Sequence, residues 1–280
     1  MARMTPIPHL ADKLTHDSIV TPAAFAQHHD GGGWLGGFPP PRVAIMLYHR
    51  GLAEHLVATR AATRVPYMFA DHFLLDETSG QVAIVANFGI GAPSATLVLE
   101  DLIHAGVTTV LSVGTSGALQ PDLAPGEIVL IDEAIRDEGT SHHYAPADVP
   151  ARATTILVDE LSVELARQTG ATPRRGLAWT TDAPYRETAL EVQSYRERGV
   201  LSVEMELAAL FIVARLRGVE VAGALTVSDV LHEHDWVPEF HAESTMAGLE
   251  VTFAAALAVA RTRCTPDALK APATTAAVTS

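Results

Sequence analysis

Three carboxylates, Glu204, Glu206 and Asp229, stand in the otherwise apolar stretch 201–230, LSVEMELAALFIVARLRGVEVAGALTVSDV. A carboxylate in such surroundings can accept hydrogen bonds from ligand hydroxyls. One whose pKa is raised by burial can also hand a proton to a leaving group near neutral pH. Taken singly, each has a plain structural use. Glu206 can be an acidic residue facing a helix N-terminus, and Asp229 can be a helix N-cap ahead of Val230 and Leu231. The chemistry depends on whether the chain brings them to one place.

The elements around them argue that it does. From Leu207 the apolar residues fall at Leu207, Leu210, Phe211 and Ala214, the spacing of one buried helix face. Gly218 ends that helix, and residues 219–227, rich in β-branched and small side chains, are expected to form a strand. Glu204 and Glu206 therefore sit where a strand hands over to a helix, and Asp229 just past the carboxyl end of the next strand. In parallel α/β sheets these two places share the rim where ligands bind.

Strands are expected at 42–48, 65–75, 81–87, 109–113, 125–130 and 176–181, and helices at 52–58, 95–105, 156–169 and 246–260. This alternation predicts an α/β fold, a three-layer αβα sandwich with a mixed, mainly parallel central sheet. Residues 1–41 are expected to form a flexible N-terminal arm, its Trp34 and Phe38 bracketed by glycine and proline runs and packed on a neighbouring surface. Residues 42–264 make the main domain, and 265–280, with scattered Pro, Ala and Thr, a disordered tail.

Composition bounds the partners. With 280 residues, 48% of them hydrophobic, the chain can bury a full core. A formal net charge of −14 argues against nucleic acid or an anionic membrane, both of which need a basic face. Cys264 stands alone, which excludes a disulfide framework and a cysteine-based metal cluster. The thirteen histidines follow no metal-ligand spacing, so no metal or cofactor is expected. No apolar run approaches membrane-spanning length and no signal-peptide core opens the chain, which points to a cytoplasmic protein.

The runs Val203-Glu204-Met205-Glu206 and Thr226-Val227-Ser228-Asp229, together with Gly89-Ile90-Gly91-Ala92-Pro93-Ser94 and Gly114-Thr115-Ser116-Gly117-Ala118-Leu119, resemble the motifs of the nucleoside phosphorylase-I family. That family includes purine nucleoside phosphorylases, uridine phosphorylases and related nucleosidases. The resemblance spans about residues 42–260. It implies cleavage of the N-glycosidic bond of a nucleoside, with inorganic phosphate as co-substrate in a phosphorylase. It also implies a homo-oligomer, dimer-based and as large as a hexamer.

The resemblance also assigns residues. Asp229 would be the general acid toward purine N7. Glu206, Met205, Glu204 and His9 would hold the ribose, and Gly114, Thr115, Arg50 and Gly91 the phosphate. Tyr185, Thr181, Asp182, Ser228 and Val203 would face the base. A purine is expected over uridine, because Arg186-Glu187-Thr188 stands where uridine phosphorylases carry Gln-x-Arg. The acceptor side departs from the pattern: Tyr48 replaces a glycine, while Leu52 and Ser112 replace phosphate-binding arginines. An arginine forks onto phosphate through two charged donors, and serine cannot supply that charge. Phosphorolysis, hydrolysis as in the nucleosidases, and a catalytically degenerate nucleoside-binding protein all stay open on these residues.

Overall fold

The computed structural model describes residues 7, 10–30, 39–67, 69–232 and 235–264. His9, Trp34, Phe38 and the 265–280 tail lie outside the described residues. The sheet is built from strands β1 (Val43–Leu47), β2 (Ala62–Tyr67), β3 (Ala70–Leu75), β4 (Val82–Ala86), β5 (Thr109–Ala118), β6 (Ile128–Asp137), β7 (Ala151–Arg152), β8 (Arg174–Thr181), β9 (Val200–Glu204), β10 (Glu220–Leu231) and β11 (Trp236–Pro238). The helices are α1 (Pro22–Asp30), α2 (Arg50–Thr59), α3 (Ala92–Ala105), α4 (Thr155–Thr169), α5 (Ala189–Glu197), α6 (Leu207–Arg217) and α7 (Glu243–Arg263).

Strand alternation sorts the core into two faces. Along β1, Val43, Ile45 and Leu47 pack with Leu52 and Leu56 of α2, Leu161 of α4 and Phe253 of α7. Ala44 and Met46 point the other way, into a cluster with Leu99 and Leu102 of α3 and Leu210 and Phe211 of α6. Both faces of the central strands are thus covered by helices, which is why they read as continuous apolar runs. The expected sandwich is present, and its sheet is mixed: β1 pairs in parallel with β4 and β5, while β3 runs antiparallel to β4.

One half of the sheet curls shut. β5 pairs in parallel with β10, β10 antiparallel with β6, β6 in parallel with β8, and β8 in parallel with β9. β9 returns to β5 antiparallel, matching Gly117 to Val203 and Ala118 to Ser202, so the five strands form a ring. This closure was not expected from the sequence. It needs β5 to run on through Gly114-Thr115-Ser116-Gly117-Ala118, past the expected 109–113 strand. Close packing accompanies this: a Cβ on Gly117 would lie 2.4 Å from Leu231 Cδ1 and 2.7 Å from Asp229 Oδ2, so these side chains sit where a larger residue's Cβ would be.

Three further expectations change. The 65–75 strand is two antiparallel strands, β2 and β3. The 1–41 arm contains α1, where Ala26 is buried and Phe25 lies 5.3 Å from the Phe69 ring. Helix α7 is long and apolar enough to cross a membrane by length and composition, against the reading that no segment is. Its Leu249, Phe253, Ala256 and Ala260 are buried in the core, which accounts for its hydropathy.

Candidate active site

The site lies where β5, β9 and β10 end together. Among the strand residues there, Gly114, Thr115, Val203, Glu204, Ser228 and Asp229 line one cavity of about 800 Å³. Met205 and Glu206, in the link to α6, complete one end of it. The two places that the sequence puts on one rim do meet.

At that end the two glutamates have different tasks. Glu204 accepts from the Glu206 and Leu207 amides, each at 2.7 Å, and from the Thr180 hydroxyl. Thr180 in turn accepts from the Ala208 amide at 3.0 Å, so Glu204 and Thr180 together satisfy the opening amides of α6. Glu204, expected to hold ribose, lines the cavity and also fixes the turn that presents Glu206. Glu206 accepts from the Gly91 amide at 2.5 Å. Gly91, expected to bind phosphate, is off the cavity wall and serves as this anchor, its φ of +93° opening α3. Burial raises both carboxyls above the usual range, and for Glu204 the charge of Glu206 adds to it.

At the other end Asp229 lies within β10, beside a register shift between Val227 and Asp229. The strand continues through Leu231, which removes the helix N-cap reading. Both its oxygens are occupied: Ser228 donates to Oδ1 at 2.7 Å and the Trp236 indole to Oδ2 at 2.9 Å. Trp236 and Phe240, with ring centroids 6.0 Å apart, form an aromatic wall. Tyr185 reaches the rim and is fully exposed.

Two residues expected at the base end are absent from the wall. Thr181 accepts from the Ala183 amide at 3.2 Å and is otherwise buried. Asp182 accepts from the Gly139 amide at 2.8 Å, tying down the neighbouring loop. Both hold backbone, so their polar atoms point away from the cavity. In their place stands Glu187, half-buried on the wall after the turn Pro184–Arg186. Burial first, then the charges of Asp229 and Glu191, push its carboxyl up to about 7. A charged residue two positions beyond the exposed Tyr185 carried no periodic signal for this placement.

The acceptor side is unusual. Tyr48 lines the cavity with Ser112 and Thr115, and the Ser112 hydroxyl donates to its phenol oxygen at 3.3 Å. The Tyr48 ring packs edge-on to Phe88 and lies close over Gly114, where a Cβ would sit 3.1 Å away. Burial, followed by the charge of Glu206, raises the Tyr48 phenol well above its usual value. Leu52 is fully buried in the core. Arg50 is exposed, pairs with Glu54 at 2.7 Å, and lines an adjoining pocket of about 460 Å³ bounded by Tyr48 and Ile90. It does not reach the main cavity wall. Among the described residues on that wall there is no lysine or arginine, while Glu187, Glu204, Glu206, Asp229 and Asp235 are all there. His241 lies near His49 and off the wall.

Known proteins resemble this chain in sequence and in fold. The uridine phosphorylase of Klebsiella aerogenes is 32% identical over 166 residues, 53% of this chain and 65% of that protein. The guanosine phosphorylase of Halorubrum lacusprofundi is 35% identical over 143 residues, 51% of this chain and 59% of its own length. The matched stretch thus spans just under two thirds of these relatives. The crystal structure of uridine phosphorylase from Vibrio fischeri superposes with a TM-score of 0.65 at 25% identity, covering 80% of this chain and 92% of that one. The sequence profile described as the phosphorylase superfamily matches residues 35–261, a span that takes in every element of the site, and the chain belongs to that superfamily.

Proposed function

We propose that the protein cleaves the N-glycosidic bond of a purine nucleoside, transferring the pentosyl group to phosphate. The observation that carries this reading is the placement of carboxylates at both ends of one cavity: Glu206 beside Met205 at one end, Asp229 beside an aromatic wall at the other. Glycosidic cleavage leaves positive charge on the sugar and negative charge on the base. Glu206, presented by Glu204 and Gly91, accepts the ribose hydroxyls and stabilises the developing cation. Trp236 and Phe240 stack on the base. The acidic groups beside them favour proton delivery to it. Phosphate is the acceptor favoured by the relatives, two of which are named as phosphorylases.

A second reading, hydrolysis, is favoured by one observation. The described wall carries no lysine or arginine to hold phosphate, and Tyr48 stands between the cavity and Arg50. One incubation separates the readings. Adenosine, guanosine, inosine and uridine are each supplied with and without phosphate, and free base and sugar are resolved by chromatography. Purine base with pentose 1-phosphate, formed only with phosphate, is expected. Free pentose released regardless of phosphate would replace phosphorolysis by hydrolysis, and release from uridine alone would overturn the purine assignment. No release from any nucleoside would leave a binding protein.

A further inference from the structure

The sequence assigns the proton-donor role to Asp229, but the surroundings of that residue are those of an acceptor. Its Oδ1 takes the Ser228 hydroxyl at 2.7 Å and its Oδ2 takes the Trp236 indole N–H at 2.9 Å. Each oxygen thus already serves as an acceptor for a fixed donor of the protein. Glu187 is the opposite case. It lies on the same cavity wall, within electrostatic reach of Asp229, and among the described residues its carboxyl has no hydrogen-bond partner. The backbone beside it is pinned. Thr188 caps α5, and Glu191 accepts from the Thr188 amide at 3.0 Å and its hydroxyl at 2.6 Å.

We propose that Glu187 is the acid that protonates the departing base, and that Asp229 is the held carboxylate beside it. This rests on the proposed glycosidic cleavage. The C1′–N bond breaks, and its electron pair goes to the base. The Glu187 carboxyl proton passes to a base ring nitrogen, leaving Glu187 as carboxylate. The acceptor oxygen bonds to C1′ and releases its own proton to solvent, from which Glu187 is reprotonated. Charge and protons balance over the cycle.

The charged neighbours support this division. Asp229 faces Glu187 from β10 and Glu191 from α5, while His232 and Asp235 share the wall. Two nearby carboxylates and partial burial keep Glu187 protonated up to about pH 7, where proton donation is most effective.

The test compares the purine nucleoside that the protein turns over fastest with its N7-methylated form, whose base already carries positive charge and leaves without a proton. Glu187→Gln should lower kcat on the unmodified nucleoside by about 10²- to 10⁴-fold. It should leave the N7-methylated substrate within a few-fold of wild type, which also reports that the variant is folded. The fall in wild-type kcat above about pH 7 should disappear in the variant. Glu187→Asp should keep part of the rate and retain a limb. Undiminished kcat on the unmodified nucleoside would overturn the proposal, as would an equal loss on both substrates. Wild-type protein inactive on both nucleosides would bring down the proposed function itself, so the two failures are distinguishable.

Discussion

Glu187 and Asp229 show how two chemically alike side chains take different roles from their partners. Asp229 accepts from Ser228 and Trp236, whereas Glu187 meets repulsion and, among the described residues, its carboxyl has no hydrogen bond. A consequence follows for Asp229→Asn. The neighbouring charge is one of the causes that lift Glu187, so removing it lets the Glu187 proton leave at lower pH. The limb in kcat should move to lower pH while the rate on the acid side stays largely intact. A pH series on the variant checks this. A collapse of rate at every pH with an unmoved limb would return the acid role to Asp229. At the same scale, Glu204 and Gly91 position Glu206, by hydrogen bonds that hold its backbone amide and its carboxyl.

At the scale of elements, the ring formed by β5, β10, β6, β8 and β9 brings the chemistry together. Gly117 is its tightest point. A methyl there would meet Leu231 Cδ1 at 2.4 Å and Asp229 Oδ2 at 2.7 Å, so Gly117→Ala must displace the Leu231 side chain and the Asp229 carboxylate. Overpacking of this kind costs about 1–3 kcal/mol, measurable by denaturant unfolding. The Asp229–Trp236 hydrogen bond should also loosen, which would shift tryptophan fluorescence and reduce nucleoside turnover. Wild-type turnover would show that the strands accommodate the methyl elsewhere. The same residue explains where reading the sequence falls short. The helical period after Leu207 and the apolar runs of β1 and β4 are local patterns, legible without a partner. A Gly, Ser and Thr stretch looks like a loop, and only its pairing with β9 and β10 makes it a strand. For the same reason the carboxylates of the motif could be found, while Glu187 and Trp236 could not. Their places on the wall come from elements that meet across the ring. Gly91, Thr181 and Asp182 were read as ligand contacts because their motifs lie near the site, but their polar atoms are used by backbone and by Glu206.

At the scale of the whole molecule, the buried acids set how stability depends on pH. Glu187 is pushed up to about 7 and Asp101 to about 6, each first by burial. Glu204 and Glu206 are also raised, by burial first. A carboxyl whose folded-state pKa exceeds its unfolded value binds more protons when folded. Its contribution is full below the unfolded value and is lost as pH rises through the folded one. His72 acts in the other direction. Burial lowers it from 6.5 to about 4, so its contribution is present above the unfolded value and is lost as pH falls toward 4. Four raised carboxyls outweigh one lowered histidine over the shared range, and above 6.5 the carboxyls act unopposed. The net charge of −14 adds self-repulsion in the same sense as pH rises. The unfolding temperature should therefore fall as pH is raised from about 5 to about 8, and scanning calorimetry across that range measures it. Glu206→Gln, which removes one of the buried charges, should make the decline shallower. An unfolding temperature that climbs toward pH 8 would mean that the carboxylates at the site are held ionised by their donors, and that the cavity receives its ligand already charged.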